Sequence, residues 1–349
     1  MYALMLSFIT AFILTYSIIP VIIRVVKERG IFDNPNSRSS HKEPTPSLGG
    51  VGLFAGTVCA IVLWTPVQSF WMLQYLLAPF VLIFLLGILD DLAPISPAKK
   101  FTAQLLVSVI IVYKANTQIT SLYGVFGIEK IPELTGFIFS VIIIVGVINA
   151  FNLIDGINGL AGSIGLLNCL IFGTWFFVVG AQAFSMLAFS LAGSIIAFLK
   201  YNFTPARIFM GDTGSLLIGT VCSVLGINFI EISHKLTPES PFLMHGTPAI
   251  VIAVLILPIY DTFSSFIRRM SQGKSPFYPD HDHIHHKFLR LGFTHTQTTL
   301  SLIAINVVFV VTIASLHFLG TEKLLGLELV MSLALSLALS VIKNKSGPI

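Results

Sequence analysis

The chain has 349 residues, of which 55% are hydrophobic and only 10% are charged, and its mean hydropathy is +0.89. Soluble domains carry about 25% charged residues, so this composition excludes an ordinary soluble enzyme, and the 29 phenylalanines exclude a disordered chain. The formal net charge of +4 does not indicate nucleic-acid binding, because the basic loops of membrane proteins give the same balance.

Eleven apolar runs follow one another along the chain, most of them near the length of about 20 residues that a membrane-spanning helix needs. They are predicted at Tyr2–Val26, Leu48–Pro66, Trp71–Leu89, Phe101–Tyr113, Leu134–Ala150, Leu160–Val179, Ala183–Leu199, Ser215–Ile230, Thr247–Ile267, Thr298–Leu319 and Leu324–Ile342. The runs are continuous rather than alternating, which disfavours a β-barrel. The sequence therefore predicts an all-α polytopic membrane protein of about 11 transmembrane helices, with residues 1–349 as one integral membrane domain.

The loops between these runs fall alternately on two sides, and their charges distinguish the sides. Of the 20 lysines and arginines, 16 fall on one side, which the positive-inside rule assigns to the cytoplasm. The N-terminus is then predicted outside and the C-terminus in the cytoplasm. All eight aspartates fall at the cytoplasmic side too, although aspartate has little weight in that rule. A shared cytoplasmic site explains this clustering better than loop polarity alone.

The first two candidate segments flank the second and third runs. Lys42 belongs to a basic, hydroxyl-rich loop suited to phosphate or to anionic lipid head groups. Gly50-Val-Gly52 resembles a dinucleotide fingerprint, but no strand precedes it, so we interpret it as small-residue helix packing. Asp90 and Asp91 end the third run, where adjacent carboxylates repel each other and oppose the helix dipole. A cation or substrate site explains this pair better than a simple helix end.

Two further segments combine amides, carboxylates and glycines. Asn149, Asn152 and Asp155 are spaced to share one face of the fifth helix, either as a ligand site or as a polar seam between helices. The run Gly211-Asp212-Thr-Gly-Ser opens the eighth helix, where backbone N–H groups can bind phosphate and Asp212 can hold a metal ion. A simple N-cap explains that run equally well.

A histidine-rich loop, Asp280-His-Asp-His283-Ile-His285-His286-Lys287, follows the ninth run. Zinc binding is one interpretation, a solvated loop is another, and the neighbouring Lys and Arg residues favour phosphate. Loops 27–47, 90–100, 151–159, 200–214 and 268–297 are predicted to form the active site. Carboxylates for Mg²⁺ and basic groups for phosphates together indicate phosphoryl transfer with a lipid substrate.

Four motifs in combination, Gly-Ile-Leu-Asp90-Asp91, Asn152-Leu-Ile-Asp155-Gly, Phe209-Met-Gly-Asp212-Thr-Gly-Ser and His283-Ile-His285-His286, resemble those of the polyprenyl-phosphate N-acetylhexosamine-1-phosphate transferases (glycosyltransferase family 4). The resemblance covers nearly the whole chain and is to the WecA-like bacterial branch. It implies that undecaprenyl phosphate attacks the sugar-linked phosphorus of UDP-N-acetylglucosamine and releases UMP. UDP-sugars of N-acetylfucosamine, quinovosamine or N-acetylgalactosamine remain alternative donors. The implied setting is the cytoplasmic face of the bacterial inner membrane, in the first membrane step of envelope polysaccharide synthesis.

The resemblance also implies a role for individual residues. Asn152 and Asp212 correspond to ligands of Mg²⁺, with Mn²⁺ as an alternative, and the catalytic candidates are Asp90, Asp91, Asp155, His285 and His286. The substrate-binding candidates are Lys42, Lys100, Asn158, Asn202, Phe209 and His283. Many bacterial relatives carry aspartate where this chain has Asn158, whereas the eukaryotic ones carry asparagine. The His-Ile-His-His motif differs from the His-His-His of the peptidoglycan-precursor branch, which argues against a UDP-muramoyl-peptide donor. A homodimer is the oligomeric state that the family suggests.

Two hypotheses come from other classes. An ion-coupled transporter would explain acids in the membrane, but such proteins usually bind near the midplane and contain repeated halves. Neither feature is visible here, because the acids gather at one side and the sequence shows no internal repeat. A zinc-binding scaffold built on the histidine loop is the other hypothesis.

Overall fold

The computed structural model describes residues 1–30, 45–275 and 283–345, with only the backbone described for 341–345. Within these ranges the chain forms thirteen α-helices and two short 3-10 helices, at Val125–Gly127 and His317–Leu319, and no β-strand. The α-helices are α1 Tyr2–Arg29, α2 Gly49–Trp64, α3 Val67–Leu92, α4 Pro97–Lys114, α5 Glu133–Ile154, α6 Leu160–Val178, α7 Gln182–Asn202, α8 Gly211–His234, α9 Thr247–Val254, α10 Ile256–Ser271, α11 Ile284–Arg290, α12 His295–Ser315 and α13 Thr321–Lys345. The predicted all-α class is confirmed.

Each predicted apolar run coincides with a helix or, for the ninth run, with the pair α9 and α10. Among the described residues, eight helices are long and apolar enough to cross a membrane, and the bent pair α9–α10 makes nine. Helix α2 has only 16 residues, and α4 carries three lysines in its 18 residues. The chain is thus a multi-pass membrane protein, whereas the number of eleven crossings and their sidedness stay predictions.

The ninth run is one helix in the prediction and two in the structure, which meet at 80° at Leu255. Pro258 has no N–H to donate to the carbonyl of Val254, four residues earlier, so the regular ladder cannot continue there. Asn306 of α12 donates instead to the carbonyls of Ala253 (3.0 Å) and Val254 (3.3 Å). The break is therefore stabilised from a neighbouring helix, and it redirects α10 toward the candidate site.

Helix α8 is the centre of the bundle, with 94% of its most apolar window buried, and it contacts α2, α3, α5 and α6. Close approach at its first turn depends on glycines of its neighbours. A Cβ on Gly50 of α2 would lie 2.6 Å from the carbonyl carbon of Thr213, and one on Gly87 of α3 would lie 2.6 Å from the nitrogen of Thr213. Gly50 thus serves helix packing, as interpreted from the sequence, and three helix segments converge where α8 begins.

The far end of the bundle, away from the start of α8, has its own polar cluster. The buried carboxylate of Glu231 accepts hydrogen bonds from the N–H (2.8 Å) and hydroxyl (2.9 Å) of Thr120 and from the hydroxyl of Tyr123. These bonds attach the 115–132 connection to the end of α8. At the far end, the buried carboxylate is therefore satisfied by the connection that packs against it, and this cluster is separate from the end that carries the sequence motifs.

Candidate active site

The candidate active site lies where α3, α5 and α7 end and α4, α6 and α8 begin, with α11 beside them. All four motifs found in the sequence meet at this one end of the bundle, although they are up to about 200 residues apart in the chain. Because antiparallel neighbouring helices alternate in direction, every second connection falls at the same end. The predicted convergence of the motifs is thus a consequence of the helix count between them.

Lys100, in the first turn of α4, is the centre of the polar contacts. Its ammonium nitrogen lies 3.1 Å from Oδ2 of Asp90 and 3.4 Å from Oδ1 of Asn152, and it forms an ion pair with Asp212. The amide of Asn152 in turn donates to Asp212 (2.8 Å) and to the hydroxyl of Ser215 (3.1 Å). Two carboxylates and one amide oxygen therefore surround a single positive charge.

This donor set fits Mg²⁺ in chemistry. Oxygen ligands are what Mg²⁺ prefers, and it usually takes one or two protein carboxylates and completes its shell with phosphate and water. Asn152 and Asp212, the predicted ligands, are in direct contact with each other. Within the described ranges no group of three or more His, Cys, Asp and Glu side chains could hold a metal ion. The residues thus suit a cation that is shared with a phosphate substrate rather than one enclosed by protein.

Asp91 has a different partner from its neighbour Asp90. Its carboxylate accepts hydrogen bonds from the backbone N–H of Asp212 (2.7 Å) and Thr213 (3.1 Å) and from the hydroxyl of Thr213 (2.6 Å). Gly211 makes this approach feasible, because its φ is +71° and a Cβ there would lie 2.6 Å from Oδ2 of Asp91. Asp91 therefore caps α8 from another helix, and two N–H groups of the run predicted to bind phosphate donate to it instead.

Asp155 follows the last residue of α5 and faces the same region. Burial, together with the charge of Asp91, raises the pKa of the Asp155 carboxyl to about 7. A carboxyl with a pKa near neutral can both release and accept a proton under physiological conditions, as a general acid or base must. Asp155, which follows the end of a membrane-spanning helix, is therefore suited to act as a general acid or base.

The histidine motif lies against this segment. His285 is only 1% exposed, and neither ring nitrogen has a hydrogen-bond partner among the described residues. Its ring abuts Gly156, where a Cβ would lie 2.5 Å from Cε1 of His285. Burial lowers the pKa of His285 to about 3, so the imidazole is neutral at physiological pH. His286 is adjacent, with ring centroids 4.3 Å apart. An unpartnered buried imidazole is the kind of group that a bound substrate satisfies.

Asn202 and Asn158 organise the loop before α8. Asn202 is buried, accepts a hydrogen bond from the N–H of Gly159 (2.7 Å) and donates to the carbonyl of Ile208 (2.9 Å). Asn158 donates to the hydroxyl of Thr204 (3.2 Å). The amide of Asn202 thus connects the start of α6 with the end of the 203–210 loop, so it fixes the backbone around the other predicted substrate-binding residues.

Two other predicted substrate-binding residues are Phe209, which bonds to the segment at the start of α2, and Lys42, which precedes α2 in the chain. Phe209 is half-buried, and its backbone N–H donates to the carbonyl of Pro46 (2.7 Å) while its carbonyl accepts from Gly49 (2.9 Å). The 203–210 loop is therefore attached to the segment that leads into α2. Lys42, the candidate in the preceding loop, lies outside the described residues.

Asp261 of α10 and Ser215 of α8 are site residues that sequence reasoning did not assign. The carboxylate of Asp261 is fully buried and bonds to Nδ1 of His283 (2.7 Å) and to the N–H of Ile284 (2.6 Å). Asp261 was counted only among the aspartates of the cytoplasmic side, and an aspartate near the end of an apolar run was the signal available. Its partner lies 22 residues away, beyond the end of α10, so no local pattern reveals the pair.

The chain is also similar in sequence to known proteins. Residues 73–230 match the family described as glycosyl transferase family 4. The chain is 30% identical, over 88% of its length and 84% of the relative, to a probable undecaprenyl-phosphate N-acetylglucosaminyl 1-phosphate transferase of Bacillus subtilis. It is 32% identical to the undecaprenyl-phosphate alpha-N-acetylglucosaminyl 1-phosphate transferase of Haemophilus influenzae, over 87% of the chain and 84% of the relative. A decaprenyl-phosphate N-acetylglucosaminephosphotransferase of Mycolicibacterium smegmatis is 28% identical over 84% of the chain and 77% of the relative.

Proposed function

The chain belongs to glycosyl transferase family 4, and from this premise we propose that it transfers N-acetylglucosamine-1-phosphate from UDP-N-acetylglucosamine to undecaprenyl phosphate and releases UMP. An oxygen of the lipid phosphate attacks the sugar-linked phosphorus, the diphosphate bond to UMP breaks, and a new diphosphate bond joins lipid and sugar. The observation that carries the proposal is the polar centre at Lys100, where Asp90, Asn152 and Asp212 converge.

Lys100 is proposed to bind the diphosphate. In the structure its ammonium forms ion pairs with the carboxylates of Asp90 and Asp212. The diphosphate of a UDP-sugar is also anionic and is proposed to bind the same ammonium. Phosphoryl transfer depends mainly on positioning and on neutralising charge, with little covalent chemistry left to the protein. Lys100 is proposed to position the diphosphate and to neutralise part of its negative charge.

Asp212 and Asn152 are proposed to hold Mg²⁺, or Mn²⁺ in its place, because a carboxylate oxygen of Asp212 and the amide oxygen of Asn152 both contact the ammonium of Lys100. When bound, the ion would neutralise charge on the diphosphate. Asp90, whose carboxylate faces Lys100, is proposed to orient the lipid phosphate rather than to deprotonate it. A phosphate monoester has its second pKa near 6, so at neutral pH the attacking oxygen is already largely ionised.

His285 and His286 are proposed to contact the donor's diphosphate or sugar. The buried ring nitrogens of His285 lack partners among the described residues, and the ring lies beside the Asp155–Gly156 segment. A neutral imidazole offers one donor and one acceptor, which suits sugar hydroxyls and phosphate oxygens alike. We place this site at the cytoplasmic face of the bacterial inner membrane, because UDP-sugars are made in the cytoplasm and the basic loops lie at this end.

The test is an assay of purified protein with undecaprenyl phosphate and a panel of UDP-N-acetylhexosamines, with mass spectrometry of the lipid product. We expect UMP release and a lipid-diphosphate-sugar with the N-acetylglucosamine donor, abolished by chelation and restored by Mg²⁺. Asp212→Asn should lose at least a hundredfold in turnover while remaining folded. Glu239→Gln, which alters an exposed acid at the far end, is the matched control and should retain full turnover. Absence of UMP release with every donor would refute the proposal, and accumulation of solute in sealed vesicles would favour the transporter hypothesis instead.

A further inference from the structure

Asp261 has the most enclosed carboxylate at the candidate site. It is 0% exposed, and both of its oxygens are used by the first two described residues of the histidine motif. Oδ2 lies 2.7 Å from Nδ1 of His283, and Oδ1 accepts the backbone N–H of Ile284 at 2.6 Å. An ionised carboxylate is costly to bury unless it is hydrogen-bonded. These two bonds therefore account for its presence inside the protein, and both act on the motif rather than on α10.

The bond to His283 determines which ring nitrogen carries the proton. An ionised carboxylate can only accept hydrogen bonds, so Nδ1 of His283 must be the donor. In the neutral ring, Nε2 is then the acceptor, and it becomes a donor only when the ring gains a second proton. The bond to Ile284 fixes the backbone on the C-terminal side of the same ring. Tautomer, ring orientation and backbone position are thus set by one side chain.

The constraint on His283 extends to the rest of the motif. The rings of His283 and His285 are nearly parallel, at 3°, with centroids 5.7 Å apart. His285 continues the contact to His286 and to Gly156, which follows Asp155. A rotated or displaced His283 ring would remove one wall of the space that holds His285. Asp261 can therefore influence the groups beside Asp155 without touching them.

We propose that Asp261 is a positioning residue for the transfer reaction: its carboxylate holds His283 as the Nδ1–H tautomer and so presents Nε2 to the substrate. The inference rests on the proposed function for the reaction, but not for the tautomer. Nε2 would accept a hydrogen bond from a donor hydroxyl or amide group when the ring is neutral. The chemical partner is thus a hydroxyl or amide group of the sugar, recognised through one oriented ring nitrogen.

The first experiment is ¹⁵N NMR of histidine-labelled, ligand-free protein, in which the His283 signals are identified by their loss in His283→Asn. We expect the Nδ1–H tautomer in the wild type and the Nε2–H tautomer in Asp261→Asn, because the new amide can donate to Nδ1. In the transferase assay, Asp261→Asn should lower kcat by about tenfold to a hundredfold, the range known for residues that orient a functional histidine, with little change in KM. Ser264→Ala, in the same turn of α10, should change neither.

A second pair of variants decides the matter if Asp261→Asn does not fold. His283→Asn keeps a donor in the place of Nδ1 and removes Nε2, so it should melt like the wild type and lose kcat as Asp261→Asn does. His283→Gln keeps a group near Nε2 and loses the bond to Asp261, so its melting temperature should fall. Full kcat in His283→Asn or in Asp261→Asn, or an Nε2–H tautomer in the wild type, would overturn the proposal. The NMR result requires no turnover, so failure of the proposed reaction and failure of this inference are distinguishable.

Discussion

At the scale of single residues, Asp90 and Asp91 show how neighbouring carboxylates take separate roles. The Oδ1 atom of Asp90 accepts the N–H of Ile95 at 2.7 Å, which leaves Oδ2 for Lys100. Both oxygens of Asp91 instead accept hydrogen bonds from the first turn of α8. Consecutive residues of a helix point about 100° apart, so one carboxylate faces the polar centre while the other faces the neighbouring helix. Asp90 is the member of the pair that remains available to substrate.

This division predicts different outcomes for Asp91→Asn and Asp90→Asn. Asp91→Asn keeps one acceptor oxygen but places its NH₂ group against the N–H and hydroxyl donors at the start of α8. Because hydrogen bonds to a charged group contribute about 1.5–3 kcal/mol, we expect this variant to lower the free energy of unfolding by about 2 kcal/mol. Asp90→Asn keeps the acceptor for Ile95 and loses one ion pair of Lys100, which retains Asp212 as its partner, so it should lower stability less than Asp91→Asn does. Thermal unfolding in detergent separates the two, and the transferase assay should show reduced turnover in both. Equal melting temperatures for the two variants would contradict the role of Asp91 as a cap.

The sequence indicates which residues matter more readily than what each of them contacts. Most acids and amides of the site were visible as polar residues at the ends of apolar runs, and the histidines were visible as a cluster in a loop. The sequence did not reveal the partner of Asp91, because that contact depends on where α8 begins and on how closely α3 approaches α8. The bond between Asp261 and His283 was hidden for the same reason, since it joins α10 to a segment that follows the end of that helix. Tertiary contacts of this kind have no period along the chain.

At the scale of helices, the site depends on how closely α3 and α2 approach the start of α8. Gly87 and Gly50 face the backbone of Thr213 and Gly214, where no other side chain would fit. The close approach brings Asp91, one turn after Gly87, within hydrogen-bond distance of α8. Small residues at helix contacts are the usual means by which membrane helices pack tightly. The position of the carboxylate pair is therefore set by a glycine that has no chemistry of its own.

Gly87→Ala should therefore damage both packing and activity. Its Cβ would lie 2.6 Å from the nitrogen of Thr213, a backbone atom that cannot move without displacing α8. We expect a loss of about 1–3 kcal/mol in the free energy of unfolding, typical of overpacked cores, and reduced turnover. Gly146→Ala is the matched control, because a Cβ there meets nothing within 4 Å and alanine favours the helix. A variant of Gly87 as stable as that control would show that α3 can move away from α8 without cost.

Hydropathy predicts that the helices exist, whereas it does not predict their shape. The run Thr247–Ile267 is predicted as one span, and Pro258 within it signals the break that the structure contains. The sequence does not show that Asn306 supports this break, nor that α10 turns by 80° toward the site. The direction of α10 is what brings Asp261 to the histidine motif. A proline therefore predicts a weak point, and its neighbours decide the geometry.

At the scale of the whole molecule, eight of the described helices are long and apolar enough to cross a membrane, and the bent pair α9–α10 makes nine. The acids of the site share one end, and the Glu231 cluster closes the other. The five aspartates that the structure describes lie at the polar end, and the assignment of all eight to one side of the membrane stays a prediction. With so few charges in the chain, their distribution identifies the polar end of the molecule before any motif is considered.

The sidedness of the bundle is testable with two exposed positions at opposite ends. In a variant with Cys59→Ala, the remaining cysteines, Cys169 and Cys222, are buried and should not react. Added to that background, Glu239→Cys at the far end should be labelled on intact cells by a membrane-impermeant maleimide. Ala98→Cys, one turn from the site, should be labelled only after permeabilisation, because positive loops are retained in the cytoplasm. Labelling of Ala98→Cys on intact cells would place the Lys100 centre outside, away from any cytoplasmic UDP-sugar, and would contradict the proposed location of the reaction.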